Sequence, residues 1–368
     1  MKVRIDKLDN FGRGITYIDN KICFIDNALP NELVEIEITK DKAKYYEAKV
    51  IEYYEVSPNR IKVDCPYYES CGGCSLRHLE YKEENKFKEE KVKELLKHIG
   101  KLDVKVNSII YGPENNYRNK VTLHKSKGKI GYFVKGTKNI IPIDNCLLLD
   151  EVINNNIKNI KDDSNEIVIR SSNDSKELLM NDNDYFITSI GDKKYYLSKN
   201  SFFQVNKFLT KDLYDLIRKA INKNYLNCLD LYCGTGTIGI YISDLVDNVI
   251  GIDYSESNIK DANKNVKLNN INNISFICDK VENKIDTFKS IDLVIVDPPR
   301  SGLDNKTKKY LMEINPERII YVSCDPATLA RDLKELNTNF DILEVTPVNM
   351  FPRTYHCESI TVLEKNNE

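Results

Sequence analysis

The segment Leu229-Asp230-Leu231-Tyr232-Cys233-Gly234-Thr235-Gly236-Thr237 runs an apolar strand into a glycine turn that opens a helix. Glycine at such a turn lets the backbone approach a nucleoside cofactor closely, because no Cβ stands in the way. The next apolar run, 249–253, ends on Asp253, where a carboxylate can accept hydrogen bonds from both ribose hydroxyls. Around this segment the chain alternates in strand and helix lengths. Strands are expected over 226–232, 249–253, 274–278, 292–297 and 318–323, with helices to 245, to 268, and over 305–314 and 326–336. Such alternation requires a parallel, doubly wound sheet of Rossmann type, and final strands over 342–346 and 357–363 add an antiparallel edge. The fold class is α/β, with this domain spanning 206–368.

Upstream the pattern changes. Residues 1–56 hold short alternating strands over 3–8, 14–18, 21–25, 33–40 and 48–54, which suggests a small β-barrel of oligonucleotide-binding (OB) type. Residues 57–205 read as a central β-rich domain, with strands over 104–110, 130–134, 167–170 and 195–197. It opens with a cysteine loop and a charged amphipathic helix over 81–99.

Composition narrows the function classes. The chain has 368 residues, enough for two or three domains, with 41% hydrophobic and 30% charged residues. No apolar run approaches the roughly 18 residues that cross a bilayer, and the start has no signal-length apolar core, so a cytoplasmic protein without a membrane partner is expected. Fifty-four basic and 56 acidic side chains give a net charge of -2, so any nucleic-acid partner must be held by local patches. Ten cysteines in such a chain point to metal ligation, catalysis or small core packing rather than disulfides.

Gly234, Gly236 and Gly239 also satisfy the bare GxGxxG spacing, which leaves a nicotinamide dinucleotide open. Asp230 would crowd a pyrophosphate there, whereas its charge suits the amino group of S-adenosylmethionine. The turn Asp297-Pro298-Pro299-Arg300 follows the fourth strand and sets a rigid carboxylate at the carboxyl edge of the sheet. Cys324 ends the next strand before a helix N-terminus, whose dipole can stabilise a thiolate. Cys228, Cys233 and Cys278 lie in or beside apolar runs and read as small buried hydrophobes. Glu358 opens the last strand, whose register brings it to the same cleft as a candidate general base, with His356 beside it.

Cys65, Cys71 and Cys74, with Gly72 and Gly73 between the last two, supply three thiolates in one tight loop, and Cys146 is the candidate fourth. Four cysteines suit zinc or an iron–sulfur cluster. Residues 117–138 contain Arg118, Lys120, Lys125, Lys127, Lys129, Lys135 and Lys138 without an acid, interleaved with Tyr117, Tyr132 and Phe133. Cations for phosphates beside rings for unstacked bases is the pattern of single-stranded RNA recognition.

Five ordered stretches, 202–206, 229–236, 296–303, 321–332 and 350–358, together resemble the S-adenosylmethionine-dependent RNA uracil-C5 methyltransferase family across the C-terminal half. The resemblance implies a class I methyltransferase domain with Cys324 as nucleophile and Glu358 as base. It places Gln204, Tyr232, Asp253 and Asp297, with Gly234 and Gly236, at the S-adenosylmethionine site. The N-terminal barrel resembles a TRAM domain. The branch resembled carries a [4Fe–4S] cluster on this cysteine spacing, which makes Cys65, Cys71, Cys74 and Cys146 its implied ligands. Barrel and cluster together imply 23S ribosomal RNA as substrate, with the tRNA T-loop second; DNA is not an expected partner, and a monomer is expected. A non-catalytic RNA-binding assembly factor is the alternative from outside the enzymes. Two residues depart from the family pattern: Asp253 stands where Glu is more usual, and Asn349 where Asp commonly precedes Met-Phe-Pro.

Overall fold

The computed structural model describes residues 1–366 other than 127, 161–163, 181–183 and 200. Its largest sheet has seven strands in the order Ile274–Cys278, Val246–Asp253, Tyr225–Leu231, Leu293–Val296, Arg318–Ser323, Glu358–Lys365 and Phe340–Val348. The first five run parallel; Glu358–Lys365 is reversed, so it pairs antiparallel with both Arg318–Ser323 and the edge strand Phe340–Val348. Both faces of the central strands are buried, and successive side chains alternate between two cores. Cys228, Leu293, Ile295, Ile320 and Val322 enter one, against the helix Thr210–Ala220. Leu229, Leu231, Val294, Val296, Ile319 and Tyr321 enter the other, against the helices Asn305–Ile314 and Pro326–Leu336. At roughly 1.5 to 3 kcal/mol for each fully buried aliphatic side chain, these runs fix the register of the sheet.

Register then positions the chemistry. Leu231 pairs with Ile252 and with Val296, and Val296 pairs with Tyr321. Tyr232 and Asp297 therefore each stand one residue beyond their strands, and Asp253 ends its own, paired with Cys278, all at the same carboxyl edge. Ser323 pairs antiparallel with Ser359, so Cys324 leaves its strand where Glu358 enters the next.

The N-terminal sheet has six strands, because the expected strand over 3–8 divides. Ile5 is 1% exposed and turns into the small core, while the backbone N–H groups of Ile5 and Asp6 bond to the carbonyls of Glu32 and Ile15. The central segment contributes to several cores. A five-stranded sheet including Lys120–Ser126 and Glu166–Ser171 has its own core, whereas the ribbon Tyr185–Ile190 with Lys193–Ser198 joins one core of the seven-stranded sheet through Phe186, Ile190, Tyr195 and Leu197. Residues 104–110 are not a regular strand; they strap the sheet edge through parallel bridges of Val106 to Val345 and Ile110 to Val348.

The expected helix over 81–99 is α-helical over Tyr81–Leu95 and widens at its exit into a π turn over Leu96–Gly100. Lys82, Lys86, Glu90 and Glu94 form its solvent face, but other polar residues turn inward. Glu84, Asn85, Lys88 and Lys91 are buried against the loop that precedes Glu358.

Candidate active site

A cleft of about 620 Å³ opens at the carboxyl edge of the large sheet. Gln204, Tyr232, Gly234, Asp253, Asp297, Cys324 and Glu358 line it, so the residues expected at the cofactor and the reactive positions share one cavity. Gly236 closes the turn beneath, in a left-handed conformation at φ 73°, where an added Cβ would meet the Phe276 ring at 2.4 Å. Tyr232 also adopts a positive φ of 63°, a strained backbone for a tyrosine at the turn.

The cofactor side is built by the loop after Tyr225–Leu231. Asp253 Oδ2 accepts from the Gly234 N–H at 3.1 Å, while Oδ1 accepts from Ser255 N–H and Asn258 Nδ2. These bonds fix the carboxylate at the cleft wall. Phe202 and Tyr254, 51% and 74% exposed, flank it. A fixed carboxylate between aromatic faces and a glycine turn fits a ribose and an adenine, and so fits the adenosyl part of S-adenosylmethionine. Asp230 does not take the role its sequence position suggested. It is fully buried, its Oδ2 accepts from Gly239 N–H at 3.0 Å, and it does not line the cleft. Burial raises its carboxyl to about 7.

The reactive side is electrostatically loaded. Burial, then the negative charge of Asp297, raises the Glu358 carboxyl well above the ordinary range. Burial raises Asp297 to about 7. The Cys324 thiol is pushed up to about 12 by burial, then by Glu358 and Asp297, with Arg300 acting in the opposite direction. The helix Pro326–Leu336 begins just after Cys324, but Asp325 caps it by accepting from the N–H groups of Ala327 and Thr328. That cap occupies the donors that the sequence offered to a thiolate. His356 is half-buried and pairs with Arg300 at 3.4 Å; burial lowers its imidazole to about 4, which keeps it neutral at pH 7.

The loop 349–357 is gripped from several elements. Lys88 Nζ donates to Glu84 Oε1 at 2.8 Å, Asn349 Oδ1 at 2.7 Å and the Phe351 carbonyl at 3.0 Å. Asn349 Nδ2 donates to Asn85 at 2.7 Å, Tyr117 Oη to the Pro352 carbonyl, and Asn206 Nδ2 to the Met350 carbonyl. Asn349, the departure from the family pattern, therefore serves this network as a neutral donor and acceptor. Sequence reasoning missed the network; the only trace was a helix whose Glu84 and Lys88 stand four apart.

The cysteines divide. Cys228 and Cys233 are buried as expected, but Cys278 is exposed, at the end of an outer strand. Cys65, Cys71, Cys74 and Cys146 line one further cavity of about 240 Å³ with Tyr67, Tyr68 and Tyr132. Burial raises the thiols of Cys71 and Cys146, and takes Cys74 to about 12. Among the described residues no three His, Cys, Asp or Glu are grouped as a site for a metal ion. The basic run is altered by burial. Tyr117 is 0% exposed and belongs to the core, Tyr132 packs by Cys146, and Phe133 alone of the three presents a ring, stacked on His124 at 3.9 Å. Lys127 lies outside the described residues.

Comparison with known proteins follows this geometry. Residues 87–366 match the family described as tRNA (Uracil-5-)-methyltransferase, and residues 1–51 match the TRAM domain. An uncharacterized RNA methyltransferase of Halalkalibacterium halodurans is 30% identical, covering 100% of this chain and 97% of its own length. One from Clostridium tetani is 34% identical over 96% of this chain and 93% of its own. The crystal structure of the Pyrococcus abyssi tRNA (uracil-54, C5)-methyltransferase in complex with S-adenosyl-L-homocysteine is similar with a TM-score of 0.80 and 26% identity, covering 99% of this chain and 100% of that one.

Proposed function

The chain belongs to the tRNA (uracil-5-)-methyltransferase family, and from that premise we propose that it methylates C5 of a uridine in 23S ribosomal RNA, using S-adenosylmethionine and a covalent Cys324–C6 adduct. The observation that carries the reading is the sheet register, which puts Cys324, Glu358 and Asp297 together on the wall of the cleft that also holds Asp253 and Gly234. A nucleophile, a base and a nucleoside-binding carboxylate in one cavity is what this chemistry requires.

When bound, S-adenosylmethionine supplies an electrophilic methyl group, held by Asp253, Gln204, Tyr232, Gly234 and Gly236. C5 of uracil is a poor nucleophile until the Cys324 sulfur adds to C6 and gives C5 enolate character. Arg300 is the cation that favours the thiolate as it forms. Glu358 removes the C5 proton after methylation, and Cys324 leaves by elimination. Asp297 orients the uracil, which must be flipped out to enter the cleft.

The same proposal includes the cluster. Four thiols and no carboxylate around one cavity suit iron and sulfide, whose ligands bind different irons and so stand further apart than the ligands of a single zinc ion. We assign Cys65, Cys71, Cys74 and Cys146 to a [4Fe–4S] cluster of structural role. The division at 1–56, 57–205 and 206–368 belongs to the proposal too, with the helix Tyr81–Leu95 packed onto the methyltransferase core.

Uridine in the tRNA T-loop is the second reading, favoured by the likeness across the whole chain to a tRNA (uracil-54, C5)-methyltransferase. Mass-spectrometric mapping of 5-methyluridine in RNA from cells with and without the gene separates the two. Loss at a 23S position with tRNA intact supports the first reading, and loss in tRNA alone supports the second. No loss in either RNA, with no methyl transfer by the purified protein, refutes both and favours the assembly factor.

A further inference from the structure

A row of aromatic rings leads from the surface of the N-terminal barrel into the cleft. Phe11 sits in the turn between the strands Lys7–Leu8 and Gly14–Ile18 and is 53% exposed. The turn is nonetheless held: Asp9 Oδ1 accepts from the N–H groups of Phe11 and Arg13, and Arg13 Nε donates to Asp9 Oδ2. The Phe11 ring meets Tyr355 edge to face at 5.2 Å, Tyr355 lies 4.1 Å from His356, and His356 lies 6.0 Å from Phe351. Phe351 lines the cleft together with Cys324 and Glu358. Cations accompany the row: Arg13 is 5.6 Å from the Phe11 ring, Lys91 is 5.3 Å from the Tyr355 ring and donates to its carbonyl at 2.8 Å, and Arg300 pairs with His356.

The row spans two units that meet at the catalytic loop. Its outermost ring is half in water although its backbone is fixed, so its face is available without reorganisation. A uridine flipped into the cleft leaves its neighbours in the strand unstacked. Rings recover that stacking without reading base identity, and Arg300, the exposed cation of the row, can meet a phosphate. We propose that Phe11, Tyr355 and His356 form a stacking subsite for the unstacked bases beside the target uridine. The barrel and the base-carrying loop then grip one stretch of single-stranded RNA. The inference rests on the methyltransferase reading above and deepens it by naming where the flanking nucleotides sit.

The chain contains no tryptophan, so Phe11→Trp provides a sole indole reporter at the outer ring. A short single-stranded oligouridylate should quench its fluorescence, and duplex RNA of the same length should not. In methylation of RNA from cells lacking the gene, Phe11→Ala should raise KM for RNA about tenfold, leaving kcat and the affinity for S-adenosylmethionine unchanged. Phe11→Leu should behave like Phe11→Ala, because an aliphatic side chain packs but does not stack, and Phe11→Trp should keep the wild-type KM. Tyr185, 58% exposed on the ribbon, is the control, and Tyr185→Ala should change nothing. Absence of quenching in the tryptophan variant, equal quenching by duplex, or an unchanged KM in Phe11→Ala overturns the subsite. If the wild-type protein methylates no RNA, the methyltransferase reading fails instead, and quenching still tests the stacking.

Discussion

Lys88 is the sharpest place to test how the catalytic loop is held. It is 0% exposed, as are Glu84 and Asn349, and it makes three hydrogen bonds, two of them to loop 349–357. Lys88→Met keeps much of the side-chain volume and removes all three. Glu84 is then left buried with the Arg353 N–H at 2.9 Å, the Arg353 guanidinium at 3.6 Å and the Asn349 amide. Breaking one partner of a buried pair costs about 3 to 5 kcal/mol, chiefly from the uncompensated charge. If that cost falls on local opening, amide exchange in peptides spanning 81–95 and 349–358 should speed up roughly a hundredfold to several thousandfold. Deuterium uptake read by mass spectrometry checks this peptide by peptide, with the strand Lys21–Asp26 of the barrel as an unaffected reference. The double variant Glu84→Gln/Lys88→Met removes both charges and should exchange within about tenfold of wild type, since replacing a whole buried pair is often close to neutral. An increase below about threefold in Lys88→Met, or a double variant worse than the single, would refute the reasoning. The kcat for methylation should fall in Lys88→Met, and the double variant should recover part of it.

Four shorter predictions follow from the site. Cys324→Ala should abolish methylation while leaving S-adenosylmethionine affinity within about twofold of wild type, measured by calorimetry, because the sulfur acts on the uracil. With Glu358 raised by burial and by Asp297, and ionised when it acts as base, kcat should rise with pH well above the ordinary carboxylate range; Asp297→Asn should shift that rise to lower pH in a pH–rate profile. Asp230 carries a folded pKa of about 7 against 3.8 unperturbed, so the folded state binds the extra proton between those values and loses stability as pH rises through them. Asp230→Asn, able to keep the bond from Gly239, should therefore gain in urea stability over wild type between pH 5 and pH 8, and an equal difference at all pH values would contradict it. Anaerobically purified protein should contain iron and absorb in the visible, and Cys146→Ser should lose both; a colourless zinc protein would replace the cluster assignment.

The parts of this molecule that were legible in the sequence are those whose cause is local or periodic. The glycine turn at 234–236, the acid at 253 and the Cys324 strand end each follow from a strand stopping at a specified residue, and a doubly wound sheet aligns those stops at one edge. The illegible parts depend on partners distant in sequence. Helix Tyr81–Leu95 has the composition of a solvated helix, and only the loop 261 residues away makes Lys88 a buried residue. Tyr117 belonged to a run that read as an RNA-facing surface, yet its hydroxyl is committed to the Pro352 carbonyl, 235 residues on. Asp230 looked like a cofactor ligand because it precedes the turn, but strand alternation points it to the opposite face from Leu229 and Leu231, under the Gly239 amide.

The residues that hold the loop before Glu358 share a consequence for mechanism. Lys88, Asn349 and Tyr117 all end on the 349–357 loop, and the N–H groups of Ser75 and Leu76, which directly follow Cys74, donate to the Arg353 carbonyl of the same loop. Arg353 holds a positive φ of 67°, a conformation that an arginine keeps only when its surroundings impose it. The strand that begins at Glu358 is therefore aimed from outside its own sheet, by the helix, the central domain and the cysteine loop together. Glu358, the proposed base, depends for its position on three separately packed elements, and that position can be lost by damage to any of them without a change in the cleft itself. That is why the variants most informative about catalysis here lie as far from Cys324 in sequence as Lys88 does.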